Sequence, residues 1–89
     1  MVGKSKAMEI QFRLSAAKQI KTIGAKDQKK VERKIHSLLS DPLEGKLLQG
    51  QLKGYRCVRA WPLRIIYTYN QKEKIITIET VDYRGDIYK

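Results

Sequence analysis

Lys53, Arg56, Arg59, Arg64 and Arg84 fall in one half of this chain, interleaved with Tyr55, Trp61, Tyr67, Tyr69, Tyr83 and Tyr88. An arginine fork pairs with phosphate oxygens through two parallel N–H donors, and an aromatic face stacks on an unpaired base. Side chains of these types in alternation suit single-stranded RNA better than the groove of a duplex. Other chemistries lack their parts. The chain has no P-loop, no paired glycine-rich turn, no Cys or His cluster and no set of Ser, His and Asp that could form a triad. Its carboxylates are few and scattered, so no metal site is expected. His36 is the single histidine and reads as a half-buried helix residue at the edge of an apolar stripe. Cys57 is the single cysteine, which excludes an intramolecular disulfide, and its apolar run suggests a buried, inert thiol.

The charge balance points the same way. Nineteen Lys and Arg against nine Asp and Glu give a formal net charge of +10. Residues 1–44 carry ten basic and five acidic side chains, and residues 45–89 carry nine and four, so the excess belongs to the body and not to a tail. A polyanion or an acidic protein is the natural partner of such a surface. No apolar stretch is long enough to span a bilayer. Met1–Ala7 is polar and basic with no apolar region behind it, which reads as a disordered leader rather than a signal peptide. The expected location is the cytoplasm.

These residues need elements to position them. The 89 residues fit one domain, and 42% apolar content allows one modest core without a deep enclosed pocket. Such a domain is marginally stable, and a partner that binds only the folded form would stabilise it. Met8–Leu14 alternates strictly between apolar and polar, the pattern of a half-buried strand. Ser15 suits a helix N-cap, Ala16, Ala17, Ile20 and Ile23 follow at helical spacing, and Gly24 offers a stop. A second helix is expected from about Asp27 to Leu39, with Val31, Ile35, Leu38 and Leu39 as its stripe, ending before Asp41-Pro42. Leu43–Gly54 shows no period and reads as a loop with at most a partial strand. Three strands follow, Tyr55–Ala60, Leu63–Asn70 and Lys74–Asp82, joined by the Trp61-Pro62 turn and a polar hairpin loop at Asn70–Glu73. Tyr83–Lys89 is polar and aromatic and has room for no more than a turn or one helical turn.

The order is strand, helix, helix, strand, strand, strand. It predicts an α+β domain of two layers, an antiparallel sheet with a helical hairpin on one face and the opposite face open. Function belongs on the open face. In a regular strand Arg56 and Arg59 point to opposite faces. Both reach one substrate only if a bulge near Cys57-Val58 shifts the register; otherwise Arg59 serves the site and Arg56 serves a protein partner.

Three segments carry a family resemblance: Leu52-Lys53-Gly54-Tyr55-Arg56-Cys57-Val58-Arg59, then Leu63-Arg64-Ile65-Ile66-Tyr67, then Tyr83-Arg84-Gly85-Asp86-Ile87-Tyr88. Together, at these separations, they resemble the RelE/ParE toxin superfamily of type II toxin–antitoxin systems, and the expected element order agrees from Met8 to Tyr88. The resemblance implies a metal-independent endoribonuclease without cofactor that cuts messenger RNA on the ribosome. The 2′-hydroxyl attacks the adjacent phosphate, leaving a cyclic phosphate and a free 5′-hydroxyl. It implies that Arg64 steadies the phosphate, that Arg84 stands near the leaving oxygen, that Tyr88 stacks on or orients the nucleotide, and that Arg59 faces the same site. Lys53, Arg56, Trp61 and Tyr83 are then candidate RNA-binding residues. An acidic antitoxin would be the protein partner, wrapping the toxin with a largely disordered segment.

The chain also departs from the pattern. Some relatives place a lysine in the second strand as proton acceptor, where this sequence has Arg56 and Arg59. Arginine holds its proton far above neutral pH and is a poor general base. Tyr83 stands where histidine is common. Catalysis would lean on charge neutralisation and on positioning by the ribosome, which can supply about 7–11 kcal/mol in favourable cases. Weak activity on free RNA is therefore expected. The same fold also serves ParE-like inhibitors of DNA gyrase that cleave nothing, and fold alone does not choose between them. A basic RNA-binding module without toxicity and an inactive toxin are the remaining alternatives.

Overall fold

The alternating segment near the N-terminus does form a strand, β1, but only over Glu9–Phe12. The computed structural model describes residues 8–83, so the expected leader Met1–Ala7 and the closing motif from Arg84 onward lie outside it. After β1 come two helices, α1 (Leu14–Thr22) and α2 (Ala25–Ser37). Four strands follow: β2 (Lys46–Leu47), β3 (Arg56–Ala60), β4 (Leu63–Asn70) and β5 (Ile75–Tyr83). A short 3-10 turn, Gly50–Leu52, lies between β2 and β3. The five strands form one sheet in the order β1-β5-β4-β3-β2.

The helices begin and end by other means than the sequence suggested. Ser15 does not cap α1. Its hydroxyl donates to the Glu79 carbonyl at 3.2 Å and ties the helix to β5 instead, while Arg13 occupies the cap position without a side-chain bond. Gly24 is not a left-handed stop either; with φ −64° it is the extended residue that opens α2. The carbonyls at the end of α1 are satisfied by Gln28 of α2, whose side-chain amide donates to Ile20 O at 2.9 Å and to Ile23 O at 3.1 Å. This bond lets two helices follow each other with almost no linker.

Both helices lie on one face of the sheet, α1 against β5 and β1, α2 against β3 and β4. Ala16, Ile23, Val31, Ile35 and Leu38 from the helical layer meet Val58, Ala60, Leu63, Ile65, Tyr67, Ile76, Ile78 and Val81 from the sheet. The stripes read from helical spacing thus face the core. The sheet is antiparallel from β2 to β5, but β1 pairs with β5 in parallel, which corrects the expectation of a wholly antiparallel sheet. The chain's reversals require it. Alternation along β2, β3, β4 and β5 leaves β5 running opposite to β2, and β1, separated from β2 by an antiparallel pair of helices, runs opposite to β2 as well.

The connection between α2 and β3 is shaped by one tyrosine. Tyr67 on β4 is fully buried, accepts a hydrogen bond from Gly45 N–H at 2.9 Å and donates one to Pro42 O at 2.8 Å. A side chain at position 45 would put its Cβ 2.8 Å from the Tyr67 ring, so only glycine fits there. Burial is the main cause that holds the Tyr67 hydroxyl above its ordinary pKa. At the near end of this loop, Lys34 pairs with Glu44 at 2.9 Å.

Candidate functional site

Strand alternation sorts the basic residues by face. The β3–β4 register is unbroken, with Arg56↔Tyr67, Val58↔Ile65 and Arg59↔Arg64 as partners. Tyr67 and Val58 belong to the core, so Arg56 lies on the helix side, and Arg59 and Arg64 lie together on the open side. No bulge interrupts Cys57-Val58. The register shift falls instead between β4 and β5, at Ile66/Tyr67, where Glu79 is the extra residue. Arg56 therefore does not join the other two. Its guanidinium donates to Gly45 O at 2.9 Å and braces the loop before β2.

On the open side, Arg59 and Arg64 border a shallow pocket of about 260 Å³ together with Lys46, Leu48 and Cys57. Lys46 is the register partner of Cys57, and Cys57 is the partner of Ile66. Cys57 is nearly inaccessible and, with Leu48, supplies the apolar part of a lining that also carries three cations. Asp82 of β5 is the register partner of Arg64 and completes the row Arg59, Arg64, Asp82. Like charges directly opposite on neighbouring strands are unfavourable, by roughly 0.2–1 kcal/mol. Two guanidiniums held in register therefore suit an anionic ligand, whose oxygens would accept from both.

Lys46 is the residue that sequence reasoning missed. It sits in a two-residue strand inside a segment without period, and only its pairing with β3 brings it to the arginines. The lysine that reasoning singled out, Lys53, is exposed in the turn before β3 and does not line the pocket. Tyr83 and Trp61 also stand elsewhere. Tyr83, the partner of Leu63, lies on the helix side, and its hydroxyl donates to Asp27 Oδ2 at 3.3 Å. Desolvation first, and then the Asp27 carboxylate, raise the Tyr83 pKa above its ordinary value, so this hydroxyl keeps its proton. Trp61, exposed at the β3–β4 turn, borders α2 through Lys30, Arg33, Lys34 and Ser37. His36 is exposed rather than half-buried, and it lines an apolar groove with Ile10, Phe12, Ile20, Glu32 and Ile35. Arg84 and Tyr88 lie outside the described residues.

Among the described residues no group of three or more His, Cys, Asp or Glu side chains is placed to hold a metal ion, and no helix is long and apolar enough to cross a membrane.

A family model described as the ParE toxin of the type II toxin–antitoxin system, parDE, matches residues 10–88. The chain belongs to this family. The toxin's fold is that of the wider RelE/ParE superfamily. It is similar to the toxin–antitoxin complex RelBE2 from Mycobacterium tuberculosis, with a TM-score of 0.81 at 22% identity over 89% of this chain and 100% of that one. It is similar to the intact RelBE toxin–antitoxin complex of E. coli, with a TM-score of 0.75 at 18% identity over 89% and 99% of the two chains. YafQ from E. coli superposes with a TM-score of 0.76 at 20% identity over 92% and 99%. At these identities the likeness is one of fold. None of the curated protein sequences compared with the toxin matches it.

Proposed function

We propose that this toxin is a metal-independent endoribonuclease that cleaves messenger RNA on the ribosome, with the phosphate held between Arg59 and Arg64. The observation that carries this reading is the register pairing of the two arginines on the open face, beside Lys46. Cleavage by 2′-hydroxyl attack has three needs: a group that takes the 2′ proton, positive charge on the crowded phosphate, and help for the departing 5′ oxygen. Arg59 and Arg64 answer the second. Lys46 answers the first. It is assigned there as the one nitrogen-bearing side chain of the pocket lining that is not a guanidinium. Arg84 and Tyr88 are assigned to the leaving oxygen and to nucleotide stacking on the family resemblance alone.

The partner is an antitoxin, in keeping with the toxin–antitoxin complexes that share this fold. The toxin's charge calls for an acidic one. Its apolar anchor on the toxin is the groove of Ile10, Phe12, Ile20 and Ile35, where Phe12 on the edge strand β1 is 46% exposed and Leu14, the first residue of α1, is 71% exposed. Action in the cytoplasm follows from a ribosomal substrate.

A second reading, gyrase inhibition without cleavage, is favoured by the match to a ParE family model. One experiment separates the two. The purified toxin is added to ribosomes programmed with a defined messenger, and separately to gyrase with supercoiled DNA. The nuclease reading expects fragments ending in cyclic phosphate and 5′-hydroxyl, formed far more slowly without ribosomes. An intact messenger together with trapped, broken DNA would establish the alternative.

A further inference from the structure

We infer that the RNA strand held by the arginine pair continues round the tip of the β3–β4 hairpin to a second subsite on the helical layer, where a base stacks on Trp61 and the backbone phosphates meet Arg33 and Lys30. This inference rests on the reading of Arg59 and Arg64 as a phosphate site. Arg59 is two residues before Trp61 in the hairpin, and Arg64 is two residues after Pro62, so the pair stands immediately behind the tip. At strand spacing that is about 7 Å from Arg59 to Trp61, within reach of the adjoining nucleotide. Trp61 is 60% exposed although it is the largest apolar side chain of the protein, an unfavourable state for an indole unless something covers it.

The surface on the helix side of Trp61 is a basic hollow of about 310 Å³, lined by Lys30, Arg33, Lys34, Ser37 and Ala60. Two of its cations are partly answered, Lys34 by Glu44 at 2.9 Å and Lys30 by Asp27 at 4.0 Å. Arg33 has no ion pair among the described residues. The helix bearing them, Ala-Lys-Asp-Gln-Lys-Lys-Val-Glu-Arg-Lys-Ile-His-Ser, adds Lys26 and Lys29 to its solvent side. An exposed aromatic face beside cations, continuous with a phosphate site, is the arrangement that holds single strands. A protein partner fits less well. Protein interfaces need an apolar centre, and the lining of this hollow is mostly cationic, with Trp61 and Ala60 as its apolar members.

Trp61 is the only tryptophan, so its emission reports on this subsite alone. The purified toxin is titrated with an uncleavable 2′-O-methyl RNA octamer and with the matching trimer. The octamer should quench Trp61 and bind about tenfold more tightly than the trimer. Lys30→Gln with Arg33→Gln should remove most of that gain and reduce the slope of log affinity against log salt by about 1.4, the share of two phosphates. Trimer binding should stay as it was and be lost with Arg64→Ala. If octamer and trimer bind alike, with Trp61 emission unmoved and the double variant neutral, the second subsite is overturned while the arginine pair stands. If neither oligomer binds, both readings fall. If a glutamate-rich peptide shifts Trp61 emission where the octamer does not, the hollow belongs to a protein partner and the inference is wrong.

Discussion

Arg59 and Arg64 are register partners on adjacent antiparallel strands, with both side chains on the face of the sheet that the helices leave open. Arg59→Gln should relieve the repulsion and stabilise the toxin by roughly 0.2–1 kcal/mol, a rise of a few degrees in Tm. It should at the same time lower cleavage by about 100-fold or more, the usual cost of removing one oxyanion donor. Thermal unfolding and cleavage rates measured on the same preparation check the opposition. Loss of both stability and activity would mark Arg59 as a structural residue.

Lys46 separates charge from proton transfer. Lys46→Arg replaces the amine with a guanidinium, which holds its proton far above neutral pH and is a poor proton acceptor. It should bind RNA nearly as the parent does and cleave about 100- to 10,000-fold more slowly. Lys46→Gln should weaken binding as well. A Lys46→Arg variant with full cleavage would confine Lys46 to electrostatics.

The Tyr67 hydroxyl offers a test of how the loop before β2, and with it Lys46, is held. Tyr67→Phe leaves Gly45 N–H and Pro42 O without their partner and should cost about 1–3 kcal/mol near neutral pH. The pH dependence follows from the raised pKa of Tyr67. A group whose pKa is higher when folded stabilises the fold below its unfolded value, near 10, and loses that contribution as pH climbs through the folded value. The stability gap between parent and Tyr67→Phe should therefore be flat up to about pH 10 and narrow above it. Denaturant titrations across that range check it, and a gap that widens would contradict the assignment.

The apolar edge should be separable from the open face. Phe12→Asp with Leu14→Asp should abolish co-purification with a small acidic partner and leave growth arrest on induction intact. Both side chains are exposed, so the fold should tolerate the change. Unchanged capture of the partner would place the antitoxin elsewhere.

The strands were legible because period-two alternation is local: Leu63–Asn70 matches β4, and the parity argument that set Arg59 against Arg56 held once the bulge proved to lie in β5 at Glu79. What was not legible depended on distant partners. Lys46 joins the arginines through a two-residue pairing that leaves no periodic trace. Ser15 reads as a cap until Glu79 O is seen to take its hydroxyl, and Tyr83 as a free aromatic until Asp27 does the same. The parallel pairing of β1 with β5 is likewise a property of the whole path and not of any segment.

The proposed function stands on the paired arginines holding a scissile phosphate. Mapping messenger 5′ ends after induction, in the parent and in Arg59→Gln with Arg64→Gln, tests it most directly. Codon-phased cuts within translated regions are expected in the parent, and they should vanish in the double variant while the protein stays folded. Intact messengers in the parent, or the same cuts in the variant, would contradict it.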